Sequence, residues 1–138
     1  MLSGAIFREE TSLSSKPTKP VAKIQPHRGE IWQVDLDPTL GSEIQKIRPV
    51  VVISSDAIGR LPIKLVAPIT GWNAKFSGNI WHIRLVPDTL NNLTKESAVD
   101  TLQLRGLDII RFKSKIGQLT VDTMEEIITA IAAVIEFS

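Results

Sequence analysis

A mainly β domain of the α+β kind, a small and strongly bent antiparallel barrel with a C-terminal α-helix, is the fold class this sequence predicts. Three observations carry the prediction. Short apolar runs rich in β-branched residues recur between turn signals from residue 30 to residue 105. The one convincing helical period comes last, where Met124, Ile127, Ile128, Ile131, Val134 and Ile135 fall on one stripe. A chain of 138 residues has room for a single core of modest size, so five or more short strands must curl over it.

The elements follow in order. Residues 1–27 are rich in Ser, Thr, Pro and Lys and show no apolar period, which reads as a disordered extension; the folded domain is expected to span residues 28–138. Residues 30–36 alternate, with Trp32, Val34 and Leu36 on one face and Gln33 and Asp35 on the other. A polar loop over residues 37–47 contains Pro38 and Gly41. The unbroken run at residues 49–53 predicts a strand buried on both faces. Residues 63–69 form a third strand, which Pro68 should confine to a sheet edge or a strand end. Residues 80–85 form a fourth, with Trp81, Ile83 and Leu85 turned inward and His82 and Arg84 outward, so that His82 is expected at the surface, with groove contact the lesser option. A fifth runs over residues 99–105, with Thr101, Gln103 and Arg105 on one face and Leu102 and Leu104 on the other. For the terminal helix, Asp122 with Glu125 offers a capping box and Thr120 an alternative cap.

Composition narrows the chemistry. Apolar residues make up 43% and charged residues 22%, the balance of a soluble globular domain, and the longest apolar stretch is too short to cross a bilayer. With no cysteine, disulfides, thiolate metal sites and cysteine nucleophiles are excluded, and the cytoplasm is the natural compartment. Net charge is +1 overall, but residues 28–120 carry 12 basic against 9 acidic side chains. Nucleic-acid binding must therefore come from a local basic groove.

Four blocks stand in a telling order: Arg28-Gly29-Glu30-Ile31-Trp32, Asp35-Leu36-Asp37-Pro38, Gly41-Ser42-Glu43, and Arg48-Pro49 followed by Val50-Val51-Val52-Ile53. Weaker matches follow at Ile69-Thr70, Gln103-Leu104-Arg105 and Lys115-Ile116-Gly117. This arrangement resembles the MazF/PemK toxins, and the resemblance covers essentially all of residues 28–138. It implies a CcdB/PemK-like barrel, a two-fold homodimer, and a sequence-specific endoribonuclease that cuts single-stranded RNA at the subunit groove. It further implies that no metal or cofactor takes part, that a 2′,3′-cyclic phosphate is left, and that a cognate antitoxin protein holds the enzyme in check. Arg48 and Thr70 match the catalytic pair. Glu43, in the loop, is the candidate base, and Ser42, Lys46, Gln103 and Arg105 are the candidate RNA contacts, joined by Trp72, whose loop position suits base stacking. One departure stands out: family members often carry an acid before the glutamine of the fifth strand, and here that residue is Leu102. Strand alternation sends Asp100 to the face opposite Gln103, so Asp100 is not expected to substitute.

Scission by the substrate's own 2′-hydroxyl needs a proton acceptor, a donor for the leaving 5′-oxygen and positive charge at the phosphate. The Arg48 guanidinium can fork onto phosphate oxygens, and Thr70 can donate to a non-bridging oxygen. Ordinary readings compete: Arg48 as an ion-pair partner of Asp35 or Asp37, Thr70 as a turn hydroxyl, Trp72 in plain loop packing. A different function class, a CcdB-like gyrase poison on the same barrel, or an inactive relative kept for interaction, would need neither Arg48 nor Thr70.

Overall fold

The computed structural model describes residues 24–36, 47–59 and 61–137. The extension over residues 1–23 and the loop over residues 37–46 lie outside the described residues. Among the latter, seven strands and one α-helix are found: β1 (Glu30–Asp35), β2 (Ile47–Val52), β3 (Ile63–Gly71), β4 (His82–Leu85), β5 (Ser97–Asp100), β6 (Arg105–Asp108), β7 (Phe112–Gln118) and α1 (Val121–Val134). All pairings are antiparallel, in the order β4-β5-β3-β2-β1-β7, with β6 beside β3.

The sheet is apolar on both faces, which explains its unbroken runs. On one side Ile31, Val51, Ala67, Ile69 and Val99 pack with Met124 and Ile127 of α1; on the other Trp32, Val34, Val50, Val52, Val66, Leu107 and Phe112 form a second cluster. Val50, Val51 and Val52 are each fully buried, as a strand covered on both faces requires. Trp32 meets Phe112 edge-on with ring centroids 5.8 Å apart. The described chain begins before residue 28 in this second cluster: Ile24 packs against it and Pro26 is fully buried.

The barrel expected from the sequence is not closed. Among the described residues no ladder joins β4 to β7, the two ends of the strand order. A loop covers the opening instead: Gln118 N–H donates to the Leu90 carbonyl at 3.1 Å, and Asn92 Nδ2 donates to the Ile116 carbonyl at 2.9 Å. The loop is itself braced by the buried Asn91, whose Oδ1 accepts from the amides of Asp88 and Leu93, each at 3.0 Å.

Pro68 lies inside a central strand rather than at an edge. The Ile53 amide donates to Leu65 O at 2.8 Å, so alternation turns the backbone groups of Ala67 toward β2 and those of Val66 and Pro68 to the other side. There β6 pairs with β3 as far as Val66 and β5 resumes at Ile69. Pro68 thus falls where that edge changes partner, and its missing N–H costs no ladder bond. The expected fifth strand is also broken: β5 ends at Asp100, a 3-10 turn occupies Thr101–Gln103, and β6 starts at Arg105. Asp100 caps the turn by accepting from the Leu102 amide. At α1 it is Thr120 that caps, its Oγ1 accepting from the Thr123 amide at 3.1 Å, and not the Asp122 box. Of the expected stripe, Met124 and Ile127 are buried, whereas Ile128 and Ile135 are exposed.

Glu30 at the start of β1 ties the chain entry to β7. Its carboxylate accepts from the His27 amide at 2.8 Å and from Trp32 Nε1 at 2.9 Å, and it pairs with Lys115 Nζ at 3.1 Å. Burial alone would raise its pKa, but these three donors outweigh it and hold the pKa below the ordinary value of 4.5. A carboxyl depressed in the fold stabilises above its unfolded pKa and loses that contribution as pH falls through the folded one. The melting temperature is therefore expected to drop below about pH 4.5 more steeply in the wild-type protein than in Glu30→Gln. Parallel acid profiles for the two would overturn this role.

Candidate active site

Register brings the expected catalytic pair together. Val50 stands opposite Pro68 across β2 and β3, and carrying that register two residues on sets Arg48 opposite Thr70 on the same face. The face continues through the next two strands, where Thr70 pairs with Ala98 and Asp100 pairs with His82. Alternation therefore gathers Arg48, Thr70, Asp100 and His82 on one side of four neighbouring strands. These residues border a cleft of about 820 Å³ whose walls also include Gln33, Phe76, Lys95 and Gln103.

Arg48 is exposed, with its Nη1 donating to the Ile47 carbonyl at 3.3 Å. The extended backbone that Pro49 favours points the guanidinium away from the core, where it can reach a phosphate. Thr70 is also exposed, inside β3 rather than in a turn after it. Lys95 adds a second cation, with Nζ close beside Gly71.

His82 is not at the surface. Its side chain is only 8% exposed, its ring stacks on Phe76 with centroids 3.8 Å apart and planes 10° apart, and its Nδ1 lies 3.1 Å from Asn79 Nδ2. Its Nε2 is 3.8 Å from Asp100 Oδ2. Asp100 in turn accepts from Gln103 Nε2 at 2.8 Å. The expectation that Asp100 and Gln103 face opposite ways is thus corrected: the 3-10 turn between them breaks the two-residue alternation and points both into the cleft. A further acceptor, Gln33 Oε1, is buried with no hydrogen-bond partner among the described residues. Such an orphan costs about 1–3 kcal/mol, which a substrate donor could recover.

The remaining expected site residues scatter. Arg105 is exposed on β6 opposite Val66 and is not among the cleft-bordering residues. Trp72 also stands off the cleft wall, edge-on to Phe76 and beneath the Arg84 guanidinium at 4.8 Å, while Arg84 Nη2 donates to both carboxylate oxygens of Glu96. Ser42, Glu43 and Lys46 lie outside the described residues. Sequence reasoning missed Lys95, Phe76 and Asp100 as wall residues and gave His82 the groove only as its lesser option. The signal for Asp100 was present in the turn-forming Asp100-Thr101 step, which ends a strand more readily than it continues one. Among the described residues, no group of three or more His, Asp or Glu side chains is placed to share a metal ion, and no helix is long and apolar enough to cross a membrane.

Comparison with known proteins bears on the family and the fold. The profile of the PemK-like, MazF-like toxins of type II toxin–antitoxin systems matches residues 27–135. A Staphylococcus saprophyticus protein described as endoribonuclease MazF is 36% identical over 107 residues, spanning 75% of this chain and 86% of its own length. Among solved structures, the Mycobacterium tuberculosis toxin MazF-mt6 superposes with a TM-score of 0.64 at 22% identity, over 79% of this chain and 98% of its own. A MazE–MazF structure from Deinococcus radiodurans superposes with a TM-score of 0.66 at 22% identity, over 82% of this chain and 97% of its own. At those identities the two structures speak for the fold, while the profile and the staphylococcal relative speak for descent. The chain belongs to the PemK-like, MazF-like toxin family of type II toxin–antitoxin systems.

Proposed function

We propose that this protein is the toxin of a toxin–antitoxin pair, a cytoplasmic, metal-independent endoribonuclease that cuts single-stranded RNA in the cleft bordered by Arg48 and Thr70. The observation that carries the reading is the meeting of those two side chains on one sheet face, with Lys95 on the same cleft. In the reaction the substrate's 2′-oxygen bonds to phosphorus as the bond to the 5′-oxygen breaks; the 2′-hydroxyl proton passes to a base and the leaving oxygen takes up a proton. Arg48 neutralises charge growing on the phosphate oxygens, and Thr70 donates to one of them. With a pKa above about 12, Arg48 is a poor proton acceptor, so the base is assigned to Glu43 of the loop between β1 and β2. Ser42, Lys46, Gln103 and Arg105 are assigned to RNA contacts, and Trp72 to stacking at the margin.

The working form is a homodimer. Ile63 and Leu65 stand on one side of β3 and are 47% and 37% exposed, an apolar strip that a second copy would cover. The partner is an acidic antitoxin segment. A structural neighbour is described as an endoribonuclease in complex with its cognate antitoxin, and a cationic cleft attracts carboxylates as well as phosphates.

One experiment tests the whole reading. Purified protein, eluting at the mass of a dimer, is incubated with a long single-stranded RNA in EDTA. Cleavage into fragments ending in a 2′,3′-cyclic phosphate is expected, and addition of the cognate antitoxin peptide stops it. Activity that appears only on adding Mg²⁺ would remove the metal-independent mechanism, and intact RNA under every condition would remove the nuclease.

A further inference from the structure

The cleft has an acid in it. Its other charged walls, Arg48 and Lys95, suit phosphate, yet Asp100 lies on the same face as Arg48 and Thr70. A carboxylate repels phosphate, so whatever part of the substrate approaches Asp100 must bring N–H or O–H donors. The carboxylate is held for that purpose. Oδ1 accepts from the Leu102 amide at 3.1 Å and Oδ2 from Gln103 Nε2 at 2.8 Å, which fixes the plane of the group and leaves each oxygen a further lone pair. Behind it, His82 is clamped between the Phe76 ring and the Asn79 amide. In the tautomer whose Nδ1 accepts from Asn79 Nδ2, the Nε2–H faces Asp100 Oδ2 at 3.8 Å, too far to take up its lone pair and close enough to back the carboxylate. His82 is thus a positioning residue for Asp100.

An unpaired nucleobase supplies the matching donors, and the four bases differ in how well they do so. Guanine presents two adjacent donors on its pairing edge, N1–H and the 2-amino group, at a spacing that matches the two oxygens of a carboxylate. Adenine and cytosine present one amino donor beside an acceptor nitrogen. Uracil presents one imino donor between two carbonyls, which a carboxylate repels. We propose that Asp100 is the specificity-determining residue of this cleft and that it reads a guanine in the RNA, taking the place that Leu102 leaves without an acid. The inference rests on the nuclease reading above and deepens it.

Wild-type dimer is first used to map the cuts in a long single-stranded RNA. Short RNAs are then made that differ at one position near the cut. A guanine is expected at one such position in nearly all cuts. Replacing it by inosine, which lacks only the 2-amino group, lowers kcat/KM about 10-fold, and replacing it by uracil lowers it about 100-fold or more. Asp100→Asn, which exchanges one acceptor oxygen for a donor, brings the guanine-to-uracil ratio at that position to within about threefold, a change of preference that mere loss of packing would not produce. His82→Gln shifts the ratio in the same direction. Cuts made without regard to guanine, or an Asp100→Asn protein that keeps the wild-type ratio, would overturn this inference and leave the nuclease standing. A wild-type protein that cuts none of the RNAs overturns both. If Asp100→Asn does not fold, the inosine comparison on wild-type protein decides alone: equal rates for guanine and inosine overturn the assignment.

Discussion

Arg48→Ala is expected to lower the RNA cleavage rate by at least about 100-fold while leaving the fold intact, because its charge stabilises the five-coordinate phosphate and its side chain supports no core contact. Arg48 is exposed at the start of β2, and its hydrogen bond within the described chain is to the neighbouring Ile47 carbonyl. Removing it takes little from the folded state, so the denaturation midpoint is expected within about 0.5 kcal/mol of wild type. Arg48→Lys keeps the charge but loses the planar fork, and it is expected to recover only part of the rate. Initial rates on a fluorogenic RNA and a urea melt, measured on the same preparations, separate the alternatives. An unfolded Arg48→Ala protein would make the residue structural, and a fully active one would move the chemistry elsewhere in the cleft.

Period and turn residues made most of the fold legible in the sequence. The two-sided burial of Val50, Val51 and Val52 follows from their continuity, and the terminal helix from its stripe. What could not be read locally was decided by partners distant in the chain. Pro68 argued for an edge strand, yet β3 is central; the proline is tolerated because β6 gives way to β5 beside it, an arrangement no local window contains. The same break hid the site. Treating residues 99–105 as one strand put Asp100 and Gln103 on opposite faces, whereas the turn at Thr101–Gln103 lets the one accept from the other at 2.8 Å. His82 was misplaced for a related reason: alternation gave its face correctly, but that face is covered by Phe76 from a neighbouring turn. Arg48 and Thr70 are expected site residues through the family resemblance, not through any local pattern of their own, and register explains how residues 22 apart come to share one face.

The largest expected loss of stability lies at Gly117, in the Lys115-Ile116-Gly117 stretch that belongs to the family resemblance. Its φ is not the issue; space is. A Cβ there would sit 2.5 Å from the carbonyl oxygens of both Leu90 and Asn91, and those are backbone atoms that no side-chain rotation can clear. This is the point where the loop covers the gap between β4 and β7, and the adjacent Gln118 amide donates to the same Leu90 carbonyl at 3.1 Å. A methyl group must therefore lift the loop, break that hydrogen bond, and disturb the buried Asn91 amide that braces it. Overpacking against a rigid wall costs about 1–3 kcal/mol, and a lost buried hydrogen bond adds about 1 kcal/mol, so Gly117→Ala is expected to destabilise by about 3 kcal/mol. Gly78→Ala is the matched control, since a Cβ at residue 78 meets nothing within 4 Å. Urea melts of the two variants should differ in midpoint with the same slope. Equal midpoints would mean that the loop yields to the methyl group freely, and that its contact with β7 does not help to hold the open end of the sheet.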